Sequence, residues 1–227
     1  MSKQASQLAG VESGKHGATR RAFLLGAAAL GLAGCSGSSD RWSQIQESSS
    51  YRSAYGPLPN EPFPIPAVDT KRVPRQYQRQ LVNYRGAEPA GTVVIDPQNR
   101  HLYLVRGDGQ AVRYGIGVGR QGFSWSGRAK IGAKKHWPTW TPPSEMIDRQ
   151  PELEQYRRGM EPGLQNPLGA RALYLYEDGR DTLYRIHGTN EPWSIGKAVS
   201  SGCIRLFNQD IVDLYSRVNV GAEVVVL

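Results

Sequence analysis

From Gly91 onwards, short apolar runs alternate with turn-forming residues, and this pattern predicts β-structure. Three runs of β-type residues, TVVID (92–96), HLYLVR (101–106) and QAVRYGIGVG (110–119), are joined by the short stretches PQN and GDG. Glycine, proline, asparagine and aspartate in such short connections are typical of turns between antiparallel strands. The pattern therefore predicts an antiparallel meander at the start of a folded domain.

A second pair of β-type runs follows nearer the C-terminus. ARALYLY, residues 170–176, and DTLYRIHG, residues 181–188, are separated by the turn-like sequence EDGR and predict another hairpin. Residues 123–169, between the two groups of strands, are repeatedly interrupted by proline and glycine. Long irregular stretches inside a compact domain are usually functional loops. We therefore expect a lid-like insertion here, with one short helix near residues 152–158.

One clear helix is predicted close to the end of the chain. In NQDIVDLYSRV, residues 208–218, the apolar positions recur at helical spacing. Asn208 is suited to the N-cap, and Asp210 lies in the first turn, where the helix dipole favours negative charge. AEVVVL, residues 222–227, supplies a closing strand. Residues 91–227 thus predict a mainly β domain, a sandwich or flattened barrel with one clear helix.

The first 35 residues have the pattern of an export signal. In TRRAFLLGAAALGLAGC, residues 19–35, two arginines precede an apolar run that is too short to span a bilayer. The arginine pair indicates the twin-arginine route. The run ends in LAGC, which resembles the lipobox of bacterial lipoproteins, where the cysteine receives a lipid. We expect residues 1–34 to be a twin-arginine lipoprotein signal peptide and Cys35 to be the lipidation site.

The alternative for the same stretch is an ordinary signal peptide that contains a cysteine. Under either interpretation the mature protein works outside the cytoplasm, and we expect it in the periplasm as a membrane-anchored lipoprotein. Residues 35–90, rich in serine and proline, are short of apolar periodicity. Such a composition buries too little apolar surface to offset the entropy lost on ordering. The sequence therefore predicts a largely irregular tether before a folded domain at residues 91–227.

Composition and charge limit the partners of the protein. The chain has 227 residues, of which 39% are hydrophobic, enough for one globular domain with tails, and we expect a monomer. The formal net charge of +8 favours anionic partners such as an acidic polymer or anionic lipid. Because no RNP-like, zinc-finger or helix-turn-helix pattern is found in the sequence, we do not expect nucleic acid to be the partner.

Cys203 is the one cysteine outside the first 35 residues, and its surroundings suggest chemistry. An internal disulfide is not expected, because Cys35 is removed or lipidated, and no histidine or cysteine spacing indicates a metal site. Two interpretations remain, a buried hydrophobic side chain or a reactive nucleophile. The small residues Ser201 and Gly202, and the cation Arg205, favour the nucleophile because they allow close approach and stabilise a thiolate.

His187 lies 16 positions before Cys203, at the end of a predicted strand. An imidazole can take the proton of a thiol, so His187 is a candidate general base. The alternative is a turn histidine that hydrogen-bonds the backbone. The predicted helix begins about five residues after Cys203, so its dipole gives little help, and thiolate formation rests mainly on His187. The backbone N–H groups of Gly202 and Cys203 are candidates for an oxyanion hole.

HGT followed after a short loop by SSGCIR resembles the signature of the L,D-transpeptidases with a YkuD-type catalytic domain. The resemblance extends over most of residues 91–227, through the VVIDPQNRHLYLV strand pair, WPTWTPP, NPLGARALYL and the helix-strand ending. Many members have a histidine just before the Gly-Cys pair, whereas this chain has Ser201. His187 is therefore left without a competing base.

The resemblance implies a cysteine acyltransferase of peptidoglycan. Cys203 would attack the bond between the L-centre and D-Ala of a tetrapeptide stem, D-Ala would leave, and a thioester would form. An amine acceptor then gives a 3-3 cross-link, or anchors the lysine of a lipoprotein to the wall, while His187 moves the protons. The alternatives are a cysteine hydrolase of the same fold, acting as a carboxypeptidase or endopeptidase, and a non-catalytic wall-binding lipoprotein.

Substrate contacts are less specific in the sequence. Arg205 is placed to bind a carboxylate of the stem peptide, and structural pairing with an acidic residue is an equal alternative. Trp140 and Trp193, with Trp137, are candidates for the walls of a groove, although each of them is also a candidate for packing. Ser201 is a further candidate contact. No cofactor and no metal is expected.

Overall fold

The protein is represented by a computed structural model, which describes residues 53–119, 126–200 and 202–227. The predicted signal peptide, Cys35 and Ser201 lie outside the described residues. The described residues all belong to one compact unit of the chain.

Strands dominate the described residues. Their bounds are β1 Gln80–Asn83, β2 Val93–Asp96, β3 His101–Val105, β4 Gln110–Gly115, β5 Val118–Gly119, β6 Gly127–His136, β7 Arg171–Glu177, β8 Arg180–His187, β9 Ala198–Ser200, β10 Ile204–Arg205 and β11 Glu223–Val226. The helices are α1 Ser144–Arg149 and α2 Asn208–Arg217, with 3-10 helices at Thr70–Arg72, Arg75–Tyr77, Pro151–Tyr156 and Pro192–Ser194. The predicted fold class, mainly β with one clear helix after Cys203, is confirmed.

Nine of these strands form one mixed sheet in the order β1-β4-β3-β2-β11-β6-β7-β8-β10. Most neighbours are antiparallel, whereas β11 pairs in parallel with β2 and β10 pairs in parallel with β8. The predicted meander is present as β2, β3 and β4, and the second predicted hairpin as β7 and β8. β5 and β9 form a separate parallel pair.

The core lies between the sheet and α2. Leu173 and Leu175 of β7, with Ile211 and Leu214 of α2, are completely buried. Burial of a side chain of this size contributes about 1.5–3 kcal/mol. The same packing fixes the start of α2 close to the end of β8, where His187 lies.

The middle of the sheet contains a strand that the sequence pattern does not predict. β6, GRAKIGAKKH, lies between β11 and β7 within the stretch expected to be a loop. Only Ala129 and Ile131 are buried among its ten residues. Lysines and glycines mask the alternation, and Lys134 is used to bind the carbonyl oxygens of Tyr215 and Val218, 2.7 and 2.6 Å away, at the end of α2.

The insertion also differs in its helix. The predicted helix near residues 152–158 is replaced by α1, followed by the 3-10 helix Pro151–Tyr156. Pro151 has no N–H for an α-helical hydrogen bond to Ile147, so the α-helix ends before it.

Residues 53–90 are packed on the domain, which corrects the predicted tether. The Tyr55 hydroxyl donates to Asp210 at 2.9 Å, and Glu61 binds both terminal nitrogens of Arg171 at 2.9 and 2.6 Å. β1 adds to the edge of the sheet beside β4. The low apolar content of the segment suggested that it would not pack. Polar side chains with partners distant in sequence attach it to the domain. Much of the segment lacks regular secondary structure, and its side-chain contacts hold it against the domain.

In the three described ranges, no helix is both long and apolar enough to cross a membrane.

Candidate active site

The pairing of β8 with β10 brings together the two segments that the sequence singles out. Ile204 lies opposite Ile186, and Arg205 lies opposite His187, in parallel register. Paired strands are about 5 Å apart, so Cys203, one residue before β10, lies beside the end of β8. A backbone hydrogen bond from Arg185, two residues before His187, reaches the Cys203 thiol.

His187 is held by the backbone immediately after it. Its side chain is buried, with 4% of the residue exposed, and Nδ1 lies 2.6 Å from the Gly188 carbonyl oxygen. A carbonyl oxygen can only accept, so Nδ1 carries the proton and donates it. The neutral ring therefore has its lone pair on Nε2.

Burial keeps this imidazole neutral. The loss of hydration lowers the pKa of His187 to about 4, and the charges of Arg205 and Arg185 act in the same direction. The carbonyl oxygens of Gly188 and Pro167 partly oppose the decrease, because they can accept hydrogen bonds from the protonated ring. At neutral pH the His187 ring is thus unprotonated on one nitrogen.

The thiol is also neutral at rest. Burial raises the pKa of Cys203, and the Arg185 backbone hydrogen bond and the charges of Arg185 and Arg205 lower it by less. The expectation that Arg205 stabilises a thiolate is correct in direction, but desolvation is larger. The site therefore contains a protonated thiol and a neutral imidazole.

Gly202 has a backbone conformation that favours glycine. Its φ is +132°, which L-residues rarely adopt, although a Cβ atom there would make only an ordinary contact with Tyr184 at 3.7 Å. The requirement for glycine is therefore conformational rather than steric. This conformation sets the direction of the backbone just before Cys203.

Arg205 forms a structural ion pair. Its Nη1 donates to Glu191 Oε2 at 2.5 Å, and the arginine is mostly buried. The backbone N–H and carbonyl of Arg205 also pair with Gly117, both at 2.9 Å. Of the two roles left open by the sequence, pairing with an acidic residue is the one that the structure contains.

The tryptophans are in three different environments. Trp193 is 58% exposed, lies in the segment between His187 and Cys203, and has Lys197 Nζ 5.3 Å from its ring centroid. Trp140 is half-buried and forms a backbone bridge with Met160 in the insertion. Trp137 is buried, and its Nε1 donates to Glu61 at 2.9 Å. Of the three, Trp193 is the exposed tryptophan in the segment between His187 and Cys203, and Trp137 is a packing residue.

The sequence did not single out Glu191, and it gave Asn208 a role different from the one in the structure. Glu191, the partner of Arg205, has no pattern that distinguishes it from other surface acids. Asn208 was assigned to the N-cap of α2, but the helix begins at Asn208 itself, and Phe207 occupies the cap without a side-chain hydrogen bond. The side chain of Asn208 instead bonds Ala170 and Thr189. Its position at the start of the helix that follows Cys203 was the available signal.

Within residues 53–119, 126–200 and 202–227, no group of three or more histidine, cysteine or acidic side chains is arranged to hold a metal ion.

Comparison with known proteins gives the family. A family model described as the YkuD L,D-transpeptidase catalytic domain matches residues 90–226, more than half of the chain. The chain belongs to this family. The matched range differs by one residue at each end from the L,D-transpeptidase domain expected at residues 91–227, and the resemblance seen in the sequence is confirmed at the level of the family.

Curated relatives include two proteins of Escherichia coli K12. "Probable L,D-transpeptidase YbiS" is 38% identical over 145 residues, covering 59% of this chain and 43% of the relative. "Probable L,D-transpeptidase ErfK/SrfK" is 36% identical over 141 residues, covering 60% of this chain and 43% of the relative. The chain therefore spans less than half the length of these relatives.

One solved structure, from Brucella melitensis, is described as a "Probable carnitine operon oxidoreductase caia". It is 48% identical, covers 70% of this chain and 99% of that chain, and has a TM-score of 0.48. Its name gives an activity different from that of the L,D-transpeptidase family.

Proposed function

We propose that the protein is a peptidoglycan L,D-transpeptidase in which Cys203 is the nucleophile and His187 is the general base. The observation that carries the proposal is the parallel pairing of β8 and β10. It sets a buried, neutral imidazole beside the segment that bears the thiol, in a chain of this family.

The first half of the reaction forms a thioester. His187 Nε2 takes the thiol proton as Cys203 Sγ attacks the carbonyl carbon between the L-centre of the third stem residue and the terminal D-Ala. The N–H groups of Gly202 and Cys203 would stabilise the oxyanion. The imidazolium then gives its proton to the departing amine, D-Ala leaves, and the acyl group stays on sulfur.

The second half transfers the acyl group. The amine of an acceptor attacks the thioester carbonyl and loses a proton to His187, and the thiolate leaves and is protonated again. An acceptor amine on a neighbouring stem gives a 3-3 cross-link, and the lysine of a lipoprotein gives wall anchoring. Water in place of the amine would give a carboxypeptidase.

The charged groups near Cys203 and His187 are compatible with a thiol and an imidazole that are neutral before the reaction and charged during it. Because thiol and imidazole are both neutral at rest, a separated charge pair exists only while the sulfur attacks. Arg185 and Arg205 stabilise the thiolate and disfavour the imidazolium, whereas the carbonyl oxygens of Gly188 and Pro167 favour the imidazolium. The imidazolium is therefore a strong acid that readily protonates the departing D-Ala amine.

Substrate contacts in this proposal involve Arg205, Trp193, Trp140 and Ser201. To bind a stem carboxylate, Arg205 would exchange Glu191 for the substrate, since Glu191 occupies its Nη1. Trp193 offers an exposed ring beside the site segment. Trp140 and Ser201 are proposed as contacts from the sequence alone.

The proposed location is the periplasm, with a lipid on Cys35 holding the protein to the membrane. The support is the twin-arginine pattern and LAGC in the sequence. Replacing Cys35 by Ser should release the full chain from membranes into the soluble periplasmic fraction. Membrane partition that does not change in Cys35→Ser would contradict lipidation.

Mass spectrometry of the intact protein tests the reaction. With a disaccharide-tetrapeptide, Cys203 should gain the mass of the substrate minus D-Ala, and a cross-linked dimer should follow when a second stem is supplied. Cys203→Ala is the control and should show neither product. A wild-type protein that binds the fragment without gaining mass or releasing D-Ala would be a binding protein, and a tripeptide as sole product would identify a hydrolase.

A further inference from the structure

We propose that Asn208 is a positioning residue that holds the Gly188 carbonyl against His187 and thereby fixes which ring nitrogen accepts the thiol proton. This inference rests on the proposed function for its consequence in catalysis. Its geometry stands on hydrogen bonds within the described residues.

Asn208 is the first residue of α2, yet its side chain serves other segments of the chain. Oδ1 accepts from the Ala170 N–H at 3.0 Å, and Nδ2 donates to the Thr189 carbonyl at 3.0 Å. An asparagine at the start of a helix commonly caps that helix. Here both ends of the amide are bonded to residues that lie 38 and 19 positions earlier.

The Thr189 contact leads directly to the histidine. Gly188 is the residue between Thr189 and His187, and its carbonyl oxygen accepts from His187 Nδ1 at 2.6 Å. The Gly188 N–H donates to Arg171 at 3.1 Å, and the His187 carbonyl accepts from Leu206 at 2.8 Å. Backbone contacts thus hold the chain on one side of the Gly188 carbonyl, and the Asn208 amide holds it on the other side.

Two glycines leave room for this amide. A Cβ atom at Gly169 or at Gly188 would overlap Asn208 Oδ1, so a larger residue at either position would displace the amide. Gly169 also has a φ of +61°, which favours glycine. The close approach of two glycines to one side-chain oxygen is a feature that a helix cap alone does not require.

The chemical consequence concerns the tautomer of His187. In the neutral ring the proton stays on Nδ1 because the Gly188 carbonyl accepts it. If that carbonyl turns away, the buried Nδ1–H loses its acceptor, and the tautomer with the proton on Nε2 becomes competitive. That tautomer has no lone pair on Nε2 and cannot take the thiol proton there.

The test compares Asn208→Ala with Gln209→Ala. Gln209 is the next residue of α2 and is buried, and its Nε2 donates to the carbonyl oxygens of Gly56 and Pro66 at 3.3 and 2.8 Å. Gln209→Ala therefore removes two side-chain hydrogen bonds, as Asn208→Ala does. The partners of Gln209, however, are in the N-terminal segment and not beside His187. The measurements are the rate of thioester formation and the ¹⁵N chemical shifts of the His187 ring nitrogens near pH 7.

Asn208→Ala should lower the maximum acylation rate by about 10- to 100-fold, with a smaller change in KM, and should move the ring shifts toward a mixture of tautomers. Gln209→Ala should keep wild-type shifts and an acylation rate within about threefold of wild type, at a similar loss of thermal stability. Asn208→Asp keeps the acceptor for Ala170, loses the donor to Thr189 and adds a negative charge, so the acidic limb of the acylation profile should move to higher pH.

Wild-type ring shifts and acylation rate in Asn208→Ala would overturn the inference, as would equal losses of rate in Asn208→Ala and Gln209→Ala. The NMR measurement does not depend on activity. If wild-type protein forms no thioester while Asn208→Ala still mixes the tautomers, the proposed function fails and the positioning role stands.

Discussion

Two side chains in this protein are buried ionisable groups whose pKa values move in opposite directions. Burial lowers the pKa of His187 to about 4 and raises the pKa of Asp210 to about 7. The cause is the same in both, because removal from water disfavours the charged form of an acid and of a base alike. The partners of the two groups are what differs.

Asp210 is surrounded by side chains that fix its position. Arg79 lies 3.5 Å away, the Tyr55 hydroxyl donates at 2.9 Å, and Arg79 also pairs with Asp213 at 2.8 Å. These partners come from the N-terminal segment and from α2, so the cluster joins two distant parts of the chain. With a guanidinium and a hydroxyl as partners, the Asp210 carboxyl is suited to holding two segments together rather than to transferring a proton.

His187 is surrounded mainly by neutral backbone groups. The Gly188 carbonyl selects the tautomer, and the arginines that lower the pKa of the ring act through charge. A neutral ring with a fixed tautomer can accept a proton without breaking an ion pair. Side chains from two distant parts of the chain thus surround Asp210, whereas a backbone carbonyl oxygen fixes the His187 ring.

The largest expected effect is on activity at His187. We expect His187→Gln to lower the rate of thioester formation by about 10²- to 10⁴-fold, because the thiol loses its proton acceptor. Acylation measured by intact-protein mass spectrometry checks this. Asp210→Asn is the matched change at the other buried group and should keep acylation within about threefold of wild type. Equal rate losses in both variants would remove the distinction between them.

The next effect is on stability at Asp210. We expect Asp210→Ala to reduce the free energy of unfolding by about 3–5 kcal/mol, because the buried Arg79 guanidinium and the Tyr55 hydroxyl each lose a carboxyl oxygen as partner. The remaining contact of Arg79 with Asp213 should keep the loss near the lower end of that range. Urea denaturation of Asp210→Ala measures it, with the exposed Asp148→Ala as control, where we expect a change within about 0.5 kcal/mol. A loss at Asp210 no larger than that of the control would show that the cluster does not hold the segment.

Local patterns predicted the parts of this fold that depend on neighbours in sequence. The hairpin of β7 and β8 and the helix α2 follow from alternation and helical spacing, and the candidate pair Cys203 and His187 follows from residue type and from the family motif. The docking of residues 53–90 could not be predicted in that way. Tyr55 and Asp210 are 155 positions apart, and Glu61 and Arg171 are 110 apart, so each partner in isolation has the appearance of an ordinary polar residue. The strand β6 was not predicted for a different reason. Lysines occupy positions where a β-strand would normally show alternating apolar and polar residues.

The most specific effect is the pH dependence of stability. The pKa of His187 is lower in the folded protein than in the unfolded chain, so the unfolded chain binds more protons between about pH 4 and pH 6.5. The stabilising contribution of His187 is therefore complete above pH 6.5 and is lost as the pH falls toward 4. The pKa of Asp210 is higher in the folded protein, so its contribution is complete below its unfolded value of 3.8 and is lost as the pH rises toward 7.

The two contributions have opposite slopes in one pH window, and single substitutions separate them. We expect the stability of wild type minus that of His187→Gln to rise from pH 4 to pH 6.5, and the stability of wild type minus that of Asp210→Asn to fall from pH 4 to pH 7. Urea midpoints and m-values measured across this range give both differences. Because titrations elsewhere in the chain are common to all three proteins, they cancel in the differences. If the two difference curves had slopes of the same sign, one of the two groups would not be held in its neutral form by burial. The group would be identified by the variant whose slope is opposite to the one predicted here.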